Sequence, residues 1–87
     1  MSKVLLHPKA AKFLEKLDLQ TKERIKRKIR ELEKNPELGR HLRYSNFWSL
    51  RIGDYRAIYE IDRDKVIILF IGHRKNIYDD FSKLLFF

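Results

Sequence analysis

The 87-residue chain contains no cysteine, so disulfides and thiolate metal sites are excluded. Its histidines, His7, His41 and His73, lie far apart in the chain, which argues against a zinc site. No metal and no cofactor are expected. No apolar run approaches the roughly 18 residues that a membrane span requires. The opening MSKVLLHPK has too short a hydrophobic stretch for a secretory leader. A cytoplasmic protein without membrane association is the expectation. Only 3 glycines are present and none forms a phosphate-cradling loop. HExxH, a Ser-His-Asp arrangement and an obvious carboxylate pair are also missing, so protease, glycosidase, kinase and metallohydrolase chemistries lose support. Repeats, low-complexity segments and linkers are absent.

Positive charge is abundant. Against 12 acidic residues stand 20 Lys and Arg, a formal net charge of +8. Such a bias points to a polyanionic partner: nucleic acid, an anionic membrane surface or an acidic protein. A hydrophobic content of 44%, with 13% aromatic, supports a folded core. The length makes residues 1–87 one domain. A domain this small buries only about 60% of its unfolded surface, so its own core stabilises it marginally.

The chain alternates element types. Val4-Leu5-Leu6 reads as a first strand, and Pro8 suits the first turn of a helix. Ala10, Phe13, Leu14 and Leu17 recur at helical spacing, and Asp18–Gln20 links to a second helix over Thr21–Lys34 with Ile25, Ile29 and Leu32 as its stripe. Asn35-Pro36 stops it. Cations surround that stripe, Lys26 and Arg30 among them. They read either as a solvated face or as an electrostatic footprint on nucleic acid. Glu23 and Arg27 stand at pairing distance on the same helix. Glu37–Phe47 reads as a loop whose Arg40, His41, Arg43 and Tyr44 suit phosphate contact with base stacking, or merely connect a helix to a hairpin.

Trp48–Tyr78 organises the rest as consecutive antiparallel strands. Trp48, Leu50 and Ile52 alternate with Ser49 and Arg51. After a Gly53-Asp54 turn, Tyr55, Ala57, Tyr59 and Ile61 share one face, opposite Arg56, Ile58 and Glu60. Val66–Ile71 is continuously apolar, the pattern of a strand covered on both faces, and Gly72 ends it. Arg51 and Arg56 then share the face opposite the helices, with Arg74 at the rim. Arg56 has an alternative partner in Glu60 on its own face. Asp79–Phe87 forms a short terminal helix or loose tail whose apolar end packs on the sheet or meets a partner. The order β-α-α-β-β-β predicts an α+β domain, an antiparallel sheet packed on an N-terminal helical hairpin.

Arginines on rigid strands, a histidine and a tyrosine suit RNA cleavage by attack of a 2′-OH on its adjacent phosphate. The substrate supplies the nucleophile there, and fixed cations stabilise the charge that develops. The motifs RIGDYR, IYEI and HRKNIY, with a hydrophobic strand between them, resemble the RelE toxins of the RelE/ParE superfamily. That resemblance implies the α+β fold above and a type II toxin–antitoxin toxin. It further implies ribosome-dependent endoribonuclease activity on mRNA in the decoding site and an acidic, amphipathic, RelB-like antitoxin. Carried over by position, Arg56 contacts the scissile phosphate, Arg74 stabilises the transition state and Tyr78 orients or stacks on the substrate. Arg51 supplies a further cation. Ser49 stands where a lysine proposed as general base is expected, so the acid and base are open. His73 is the candidate by residue type. Arg40, Arg43, Lys26, Arg30 and Lys75 are candidate RNA contacts. The competing readings are a ParE-like topoisomerase inhibitor and an RNA- or ribosome-binding protein without catalysis.

Overall fold

The computed structural model describes residues 1–85. Local chemistry sets the element boundaries. Strand β1 (Lys3–Leu6) leads into α1 (Pro8–Glu15), where Pro8 occupies the first turn and His7 Nδ1 accepts from Lys9 N. Helix α2 (Leu19–Arg30) begins on an N-cap, Asp18, which accepts from Thr21 N at 3.0 Å and from Thr21 Oγ1 at 2.7 Å. These bonds depress the Asp18 carboxyl below its ordinary range. The expected link at Asp18–Gln20 is therefore mostly helix. At its other end α2 tightens into a 3₁₀ turn, Glu31–Glu33, rather than running to Lys34. A second 3₁₀ turn spans Pro36–Leu38.

The stretch expected as a loop contains a short strand, β2 (Arg40–His41), paired antiparallel with β3 (Phe47–Ile52). The connecting turn places Tyr44, fully exposed, at φ 58°. Strands β4 (Tyr55–Asp62) and β5 (Lys65–His73) complete a sheet of order β1-β5-β4-β3-β2. The sheet is mixed, not antiparallel throughout: β1 runs parallel to β5, with Val4 opposite Val66. The α+β class is as expected. The connection from β1 to β5 runs through both helices and through β2, β3 and β4, and the apolar pattern alone does not reveal the direction in which strands so far apart in the chain pair.

Both sheet faces are covered. On one, Ala10 and Leu14 of α1, Ile25 and Ile29 of α2, and Leu32 pack against Leu50, Ile52, Ala57, Tyr59, Val66, Ile68 and Ile71. On the other, α3 (Ile77–Leu85) lays Ile77 and Phe81 over Ile58, Phe47 and Phe70. The terminal segment is thus helical from Ile77. The apolar ending anticipated to pack on the sheet or on a partner, Leu84–Phe87, lies outside the residues whose side chains are described.

The register explains the unbroken apolar run of β5. Ile58 pairs with Phe70 but Tyr59 pairs with Ile68, leaving Leu69 as an extra residue, a bulge. Leu69 and Phe70 both join the α3 side, while Ile68 and Ile71 join the other. Strand β5 also continues through Gly72 to His73 instead of ending at Gly72. Among the described residues, no helix is long and apolar enough to cross a membrane.

Candidate functional site

The site is built on the α3-side face of β3 and β4, beyond the edge of α3. Alternation along β3 turns Ser49 and Arg51 to this face, and cross-strand pairing sets Arg51 opposite Arg56. Arg40 of β2 pairs with Ser49 and so joins them. Ser49 is 2% exposed and holds the arrangement together. Its Oγ accepts from Arg56 Nη1 at 3.3 Å and from Tyr78 Oη at 3.1 Å. The Arg56 guanidinium carbon stands 6.0 Å from the centre of the Tyr78 ring. Tyr78 comes from the first turn of α3, which Ile77 and Phe81 dock onto the sheet. An aromatic ring and a guanidinium are therefore held side by side by one buried hydroxyl.

From there an open groove of about 370 Å³ runs along β3, lined by Lys28, Leu38, Gly39, Arg40, Ser49, Leu50, Arg51 and Arg56. On the other side of Tyr78, a second recess brings in Arg40, His41, Leu42 and Arg43. Gly39 permits the tight junction of groove and core. A Cβ there would lie 2.7 Å from both Ser49 O and Tyr59 Oη. The buried Tyr59 hydroxyl donates to Pro36 O at 2.7 Å and accepts from Gly39 N at 3.0 Å. Burial raises its pKa above the ordinary phenol range.

Several expected residues meet. Arg40, Arg43, Arg51, Arg56 and Tyr78 surround one cationic surface. Arg74 stands at the rim, where its N donates to Asp54 O at 2.8 Å and its Nε is 3.8 Å from Asp54 Oδ1, an exposed and loose ion pair. Others do not join. His73 lies opposite Tyr55, on the α1 side, with the rings 5.8 Å apart, and its Nδ1 accepts from Lys75 N. The bulge at Leu69 is the cause, because a one-residue slip turns every later side chain to the other face. Lys75 is exposed in the turn between β5 and α3. Lys26 and Arg30 line a different groove with Val4, Leu6 and Leu14, beside β1. Among the described residues, Arg56 makes no ion pair with Glu60 and Glu23 none with Arg27; the ion pairs formed are Lys28–Glu31 at 3.4 Å and Arg74–Asp54.

The sequence pattern did not single out Lys28 or the anchoring role of Ser49. The signal for Lys28 is present in the helical period: Arg24, Arg27, Lys28 and Glu31 share one face, whereas Lys26, Arg30 and Glu33 share another. The role of Ser49 is not readable locally, because its partners come from β4 and α3.

Known proteins share this fold. The chain is 42% identical over 38 residues to Toxin RelE3 of Methanocaldococcus jannaschii, a match spanning 44% of the chain and 43% of that relative. The fold superposes with TM-score 0.77 on a chain of the RelBE2 toxin–antitoxin complex from Mycobacterium tuberculosis, at 29% identity, over 84% of this chain and 98% of that one. A RelB–RelE antitoxin–toxin complex from Methanococcus jannaschii matches with TM-score 0.70 and 29% identity, over 88% and 98%. A sequence profile described as ParE toxin of type II toxin-antitoxin system, parDE, covers residues 4–78. With the profile spanning most of the chain, the protein belongs to the ParE toxin family of type II toxin–antitoxin systems, within the RelE/ParE superfamily.

Proposed function

We propose that this toxin is a ribosome-dependent endoribonuclease that cleaves mRNA in the decoding site. The observation that carries the reading is the Arg56–Ser49–Tyr78 arrangement, opening into a groove edged by Arg40 and Arg51. In the reaction, the 2′-oxygen of one nucleotide bonds to the adjacent phosphorus and the P–O5′ bond breaks. The products are a 2′,3′-cyclic phosphate and a 5′-hydroxyl. The proton released by the 2′-OH is balanced by the one gained at O5′, so no co-reactant is consumed. Arg56, oriented on Ser49, offers paired donors to the phosphate oxygens, and Arg74 exchanges its loose Asp54 contact for the developing charge. Tyr78 presents its ring for stacking on a base, at 44% exposure. Arg40, Arg43 and Lys75 supply further RNA contacts in this reading. Lys26 and Arg30, beside β1, are too far round the molecule to share the groove.

Two of the solved relatives are toxin–antitoxin complexes, and this chain is proposed to bind an acidic, amphipathic RelB-like antitoxin. A segment of that kind would neutralise the cationic groove. The second reading, a ParE-like inhibitor of a topoisomerase, is favoured by one observation, that the matching family profile is the ParE one.

The test is primer extension on programmed ribosomes. Wild-type protein is expected to cut mRNA only when the ribosome is present. Arg56→Ala and Arg74→Ala should each lower the cleavage rate by at least about 100-fold, the scale for removing one preorganised donor. Intact mRNA with wild-type protein, together with inhibited DNA supercoiling, would establish the topoisomerase reading instead.

A further inference from the structure

A cluster of cations lies where one flank of α2 meets the β3–β4 turn. Gly53, at φ 61° in the β3–β4 turn, carries two guanidiniums. A Cβ on Gly53 would lie 3.1 Å from Cζ, Nη1 and Nη2 of Arg24 alike, so that guanidinium lies flat over the glycine. Arg51 Nε donates to Gly53 O at 3.3 Å. Arg27 and Lys28, on the same helical face as Arg24, complete an open recess of about 300 Å³ with Arg51. Its one carboxylate, Glu31, is already paired with Lys28. Among the described residues, Arg24, Arg27 and Arg51 have no carboxylate partner. Like charges gathered this closely repel one another unless an anion lies between them.

This recess is continuous with the groove of Arg56, since Lys28 and Arg51 line both. The geometry points to a phosphate-binding subsite at the Gly53 turn, in which Arg24, Arg27, Lys28 and Arg51 hold the backbone of the same RNA strand that occupies the Arg56 groove. The inference rests on the reading that RNA enters that groove. Planar guanidiniums pinned at a glycine turn suit phosphodiester oxygens, which accept paired N–H donors. The interaction is independent of base identity, so it grips the strand without selecting sequence.

The test is equilibrium binding of a single-stranded, fully 2′-O-methylated RNA oligonucleotide, which cannot be cleaved, across a salt series. Replacing Arg24 and Arg27 together by Ala is expected to weaken binding about tenfold near 100 mM salt. The log–log salt slope should fall by roughly 0.7 for each phosphate of the single strand that is no longer neutralised. Arg24→Lys, which keeps the charge but not the flat guanidinium, should lose part of this affinity. Lys26→Ala with Arg30→Ala removes the same charge from another face of α2 and should leave binding nearly unchanged. Equal losses in the two double variants would overturn the subsite, as would unchanged binding by the Arg24/Arg27 variant or no binding by wild-type protein. A defect confined to ribosome association would assign the phosphate to ribosomal RNA and overturn the same-strand claim. Because the oligonucleotide is inert, failure of the nuclease reading appears only in primer extension, and failure of the subsite only here.

Discussion

A serine with almost no exposed surface decides how the proposed site works. Ser49 accepts hydrogen bonds from Arg56 and Tyr78, so a neutral hydroxyl sets the position of a charge and a ring. Ser49→Ala should therefore act on function more than on folding. Losing an acceptor whose donors can reach water costs about 1 kcal/mol per bond. Urea unfolding should show a small loss, while cleavage on programmed ribosomes should fall by an order of magnitude or more as Arg56 loses its orientation. An equal loss in both assays would reduce Ser49 to a packing role. Strand alternation made this face legible, since the spacing of Ser49, Arg51 and Arg56 is that of a pleated strand. His73 was a candidate by residue type alone, and its actual face was not legible, because a bulge is a matter of register between strands and leaves no mark in the apolar run Val66–Ile71. Arg24 and Lys28 were legible in the helical period, yet their value depended on which flank of α2 meets β3, a tertiary fact.

Among the elements, α2 and α3 behave differently. The N-cap of α2 is charged, and Asp18 has its pKa depressed chiefly by the Thr21 hydroxyl and backbone bonds. The unfolded chain therefore binds a proton at Asp18 more readily than the folded one. The contribution is full above the ordinary aspartate pKa of about 4 and disappears as pH falls through the lower folded value. Asp18→Asn keeps a capping oxygen without the charge. Its melting temperature should lie below wild type at pH 6, and the difference should shrink as pH falls from about 5 to 2. A constant difference across that range would rule out the ionised cap as its source. Helix α3 was legible only as a helix or a tail, since its docking rests on Ile58, Phe47 and Phe70 from distant strands. Its contribution is positional, because it brings Tyr78 to Ser49. The short strand β2 was not legible: two residues carry no period, and only pairing with β3 defines it.

For the whole molecule, the α+β class and the order β-α-α-β-β-β of the longer elements followed from periodicity, while the direction of β1 did not. The net charge of +8 is a property of the same scale. It should make folding and RNA binding respond oppositely to salt. Raising ionic strength from about 10 mM to 0.1 M shortens the screening length from roughly 30 Å to 10 Å. Self-repulsion is then relieved, and the melting temperature should rise by several degrees while affinity for RNA declines. A melting temperature that falls with salt would mean that attractive pairs outweigh the repulsion. The parallel pairing of Val4 with Val66 also bears on how the protein is made. The first strand can find its neighbour only after β5 has emerged from the ribosome, so loop closure spans most of the chain. A nascent chain halted in β4 carries Arg56 but lacks the strand that seats β1 and the helix that brings Tyr78. The Arg56–Ser49–Tyr78 arrangement thus forms only once α3 has been synthesised.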